Sequence, residues 1–84
     1  MINMASIKTA LRDAGAAHNE YETNYLSGER DEMWPGWYAA FVLGRLGDFA
    51  PPTDLARWLE NAPLGGDWAS DAADLVVQRL AKKA

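Results

Sequence analysis

Met4, Ile7, Leu11, Ala14, His18, Tyr21 and Tyr25 recur along the N-terminal part of the chain at alternating steps of three and four. That rhythm places side chains on one face of an α-helix, and it predicts a single long helix from Asn3 or Ser6 to Leu26. Gly15 lies off the seam and weakens the helix by about 1 kcal/mol relative to alanine. Ser27-Gly28 supplies a stop, with Gly28 suited to the left-handed position that follows a helix.

The next segment has a different pattern. No charged residue occurs between Met33 and Gly44. A helix apolar on nearly all sides is expected to be buried on nearly all sides, which makes 32–46 the predicted central helix. Asp31 is suited to cap it, Glu32 suits its positive end, and Pro35 fits within a first turn. A start at Pro35 itself is equally open. Gly47 ends the segment.

After a connector containing Pro51-Pro52, Thr53 is expected to cap a short third helix whose apolar face carries Leu55, Trp58, Leu59 and Ala62. A fourth helix is expected from Asp67 or Ser70 to the C-terminus, with Trp68, Ala72, Leu75, Val76 and Leu80 inward. Its acids cluster near the start and Lys82 and Lys83 at the end, as the helix dipole favours. The prediction is an all-α fold, a compact four-helix bundle forming one domain over residues 1–84. Short connections favour antiparallel neighbours, and both a regular and an orthogonal bundle remain open.

Composition narrows the function classes. The chain has no cysteine, so disulfides, thiolate metal ligands and a thiol nucleophile are absent, and a cytoplasmic setting is expected. Lys8, Arg12 and Asp13 interrupt the first apolar residues, and no stretch approaches the roughly 20 apolar residues of a membrane span. A net charge of −4 argues against nucleic-acid binding.

Four polar groups are the candidates for chemistry. His18 and Glu22 are four apart on the first helix and can meet; Asp31 and Glu32 follow the turn. Together they could form a small-ligand or metal site of one imidazole and several carboxylates, or His18 could act as an acid–base group oriented by Glu22. The plainer reading is a His18–Glu22 hydrogen bond at the core edge with Asp31 as a helix cap. No nucleophile motif, Walker loop or dinucleotide fingerprint is present, and no cofactor is implied.

The aromatic residues Tyr21, Trp34, Trp37 and Tyr38 are expected in the core or at an interface. Trp34, Tyr38 and Phe41 share one face of the second helix, and Trp37, Phe41 and Gly44 another. Gly44 would allow a neighbouring helix to approach closely. HNEYE at 18–22 and DEMWPGWYA at 31–39 resemble a pattern, H-x-x-Y-E followed by D-E-x-W-P-x-W-Y-A, of small acidic bacterial proteins with no established activity. The resemblance implies a bacterial, cytoplasmic protein with these positions as its signature.

The functional expectation is a non-catalytic helical protein that acts through protein–protein contact or self-association as a homodimer. The alternative is a ligand or metal site at His18, Glu22, Asp31 and Glu32.

Overall fold

A computed structural model describes residues 3–29, 31–63 and 66–83. The order is α1 (Met4–Tyr25), α2 (Trp34–Leu46), α3 (Pro52–Glu60) and α4 (Trp68–Lys83), with no strand among the described residues. The fold is the expected all-α bundle. α1 packs on α2 and α4, and α3 packs on the same two, so the four helices close a ring. None of the described helices is long and apolar enough to cross a membrane.

Local chemistry explains each boundary. α1 starts with a capping box: Ser6 N–H donates to Asn3 Oδ1 at 2.9 Å, and Asn3 N–H donates to Ser6 Oγ at 3.2 Å. Two otherwise unpaired donors are satisfied at once. At the other end, the N–H groups of Leu26 and Gly28 both donate to Glu22 O. Ser27 (φ +56°) and Gly28 (φ +82°) are both left-handed, so the reversal uses one more residue than Gly28 alone.

α2 begins at Trp34, not at the expected Asp31 cap. Its N-cap is Met33, with no side-chain hydrogen bond, and Pro35 lies in the first turn. Asp31 instead accepts from Met33 N–H at 2.9 Å and makes a local turn ahead of the helix. α3 also departs from expectation. Thr53 is inside the helix, which Pro51 and Pro52 start without a side-chain cap. A residue preceding proline prefers extended backbone, and proline itself is preset for a first helical position, so the pair fixes the start by sterics. Asp67 serves α4, accepting from Ser70 N–H at 3.3 Å, and reaches Arg12 of α1 at 3.0 Å.

The core is built from small and branched side chains. Ile7, Leu11, Val42, Leu55, Leu59 and Val76 are its largest fully buried members, and Ala10, Ala39, Ala72 and Ala73 fill the gaps between helices. Trp37 and its aromatic neighbours are therefore not the core's centre. All four tryptophans are half-buried, and the buried residues of α2 are Pro35, Ala39, Val42 and Leu43. Helices that meet through alanines leave no room for an indole, so the large rings are displaced to the rim, where Trp68 Nε1 is nonetheless buried without a hydrogen-bond partner among the described residues. Trp34, Tyr38 and Trp68 pack there edge to face, with centroids 5.4–5.8 Å apart.

Nor is α2 covered all round. It touches α1, α3 and, through those rings, α4, but Gly36, Ala40 and Gly44 face outward. Its open side is uncharged because it is made of small residues. A Cβ placed on Gly44 would meet nothing within 4 Å, so no helix approaches there.

Candidate functional site

α1 brings His18 to the end of the buried core, and the loop before α2 folds back over it. The imidazole is 5% exposed, the one buried polar side chain among the described residues. Its Nε2 lies 3.0 Å from Asp31 Oδ2. The expected partner, Glu22, is farther: its Oε1 is 3.9 Å from Nδ1, beyond hydrogen-bond range. Glu22 uses Oε2 to accept from Asp31 N–H at 2.7 Å. One helix turn thus holds Asp31 twice, by its side chain through His18 and by its backbone through Glu22.

Convergence of Asp31 with His18 was open from the sequence. The consecutive left-handed residues Ser27 and Gly28 turn the chain back along α1, so the loop reaches past Tyr25. Glu32 does not join. It is exposed and lines a groove between α2 and α3. Consecutive residues at a turn point to different sides, and Asp31 takes the inward one.

Rings enclose the imidazole. The centroids of Trp37, Tyr38 and Tyr21 lie 4.9, 5.2 and 6.1 Å from that of His18. The bond from His18 and that from Met33 N–H stabilise the Asp31 carboxylate and hold its pKa below the ordinary value. Tyr38 is raised, by burial first and then by the negative charge of Glu22.

This arrangement is closed upon itself. Asp31 spends both oxygens, Glu22 spends one on the loop, and the ring presents almost no surface to solvent. Only Nε2 of the ring is engaged; Nδ1 has no hydrogen-bond partner among the described residues. Among the described residues no group of three or more His, Cys, Asp and Glu is placed to hold a metal.

A second feature lies outside the closed cluster. Tyr25, Tyr21, Trp37 and Phe41 form a ladder along the α1–α2 seam, with successive centroids 5.6, 5.9 and 5.7 Å apart. The Arg45 guanidinium caps its far end, 4.9 Å from the Phe41 centroid, and pairs with Asp13. Tyr25 is 78% exposed and the other three rings are half-buried. Of the four aromatic residues singled out from the sequence, Trp34 and Tyr38 pack on the main core, whereas Tyr21 and Trp37 belong to the ladder. Tyr25 and Phe41 were not expected at a site. Their signal is the i, i+4 repetition of aromatics on two consecutive helices. No protein-family model, curated protein or solved structure matches this chain.

Proposed function

We propose that this is a small non-catalytic helical protein that acts through protein–protein contact, with the Tyr25–Tyr21–Trp37–Phe41 ladder as its contact surface and a second copy of the chain as its occupant. The observation that carries this reading is the position of the ladder: four successive rings in contact outside the main core, ending in a mostly exposed tyrosine. Tyrosine and tryptophan are enriched where interfaces concentrate their energy. A stripe of rings is also complementary to itself, which suits a two-fold contact in which the same patch meets on both subunits.

The His18–Asp31–Glu22 cluster serves this reading as support. It fixes the loop and one face of Trp37, and so holds the ladder rigid before contact, which lowers the ordering cost of association. A ligand or metal role at His18, Glu22, Asp31 and Glu32 has less behind it, since Asp31 is engaged by both His18 and Glu22 and Glu32 lies elsewhere.

Four tryptophan indoles give four distinct N–H signals in a proton–nitrogen NMR spectrum. On raising the protein concentration the Trp37 signal is expected to move or broaden, with those of Trp34 and Trp68 fixed. If all four stay unchanged over the full range, the ladder is not a self-contact surface.

A further inference from the structure

A second surface lies on another side of α2, away from the ladder. Met33, Pro35, Pro52 and Ala56 floor a groove of about 340 Å³ between the first turn of α2 and α3, and Glu32 and Glu60 stand at its edges. Met33 is 75% exposed, a large apolar side chain left in water. Some surface acids are matched by cations. Asp13 is matched by Arg45, and Asp67 by Arg12 and Lys8. Glu32 and Glu60 have no cationic partner among the described residues.

We propose that this groove binds a basic, apolar-anchored peptide segment of another protein. One large apolar side chain sits on the Met33–Pro35–Ala56 floor, and flanking Lys or Arg side chains meet Glu32 and Glu60. Complementary charge at the edge of an apolar pocket supplies orientation and encounter rate, while the pocket supplies the anchor. The floor is too apolar, and the carboxylates too few, for a bare cation. An anionic lipid surface would be repelled by the same two acids.

The test uses a fluorescently labelled peptide of leucine and lysine at helical spacing, with a leucine–glutamate counterpart, titrated with the full chain by anisotropy. Saturable binding of the lysine peptide alone is expected. Glu32→Lys with Glu60→Lys should weaken it about tenfold or more, and Ala56→Arg, which fills the floor, should do the same. Asp71→Lys with Asp74→Lys on α4 makes the same charge change elsewhere, and should alter binding by less than about twofold. Circular dichroism checks that each variant is folded. Absence of saturable binding overturns the proposal. So does equal weakening by the two double variants, which would indicate general attraction to an acidic chain. A change in self-association caused by the groove variants would instead assign the groove to a second copy and overturn it too. Tyr25→Ser should leave peptide binding unchanged, which separates this surface from the ladder.

Discussion

His18 Nε2 lies 3.0 Å from Asp31 Oδ2 across thirteen positions of chain, and this contact closes the α1–α2 loop over the end of the core. Its partners are local: Asp31 accepts from Met33 N–H, and Glu22 accepts from Asp31 N–H. Removing the imidazole therefore empties a ring-lined space and releases the loop. His18→Ala is expected to destabilise by about 2–4 kcal/mol, as for other buried large side chains. Urea unfolding measures it. A loss below about 0.5 kcal/mol, the range of an ordinary surface substitution, would show that the cluster does not hold the loop.

The same contact has a pH signature. The pKa of Asp31 in the folded chain is below its ordinary 3.8, chiefly through the His18 bond. A depressed carboxylate contributes stability that is present above the unfolded value and is lost as pH falls through the folded one. Asp67 acts in the same direction, mainly through Ser70 N–H and then through Arg12 and Lys8. Stability should therefore fall as the pH is taken below 3.8, and Asp31→Asn should make that fall shallower. An unchanged slope in the variant, followed by urea midpoints, would contradict the assignment.

Ser27 occupies a left-handed conformation at φ +56° with a side chain that opposes it. Glycine has no such penalty, so Ser27→Gly is expected to stabilise by about 1 kcal/mol. For a domain of this size that corresponds to roughly 4–8 °C in Tm by calorimetry. A lower Tm would mean that the hydroxyl contributes more than the backbone conformation costs.

Gly44 is exposed in the interior of α2, and a Cβ there meets nothing within 4 Å. Gly44→Ala is expected to stabilise by about 1 kcal/mol through helix propensity alone. Destabilisation on thermal unfolding would reveal a close contact at that face.

Elements were legible in the sequence where the signal is local. The three–four seam of α1, the Gly47 stop and the Pro51-Pro52 connector each depend on neighbouring residues, and the helices they bound follow from them. Depth was less legible. Periodicity shows that Trp34, Trp37 and Tyr38 have inward and outward faces, but it does not report that alanines bring the helices too close to admit an indole. Of the candidate site, the His18–Glu22 spacing was visible and their separation of 3.9 Å was not. The Asp31 contact depends on where two left-handed residues send the loop, which is a property of three-dimensional path. Glu32 was grouped with Asp31 by adjacency alone, and a turn separates them.

Sedimentation equilibrium over a wide concentration range tests the contact surface most directly. A reversible shift from the 9.2 kDa monomer towards twice that mass is expected, abolished by Tyr25→Ser together with Phe41→Ser in a chain that remains helical. A wild-type chain that stays at 9.2 kDa at every concentration, or a dimer that survives both substitutions, would contradict it.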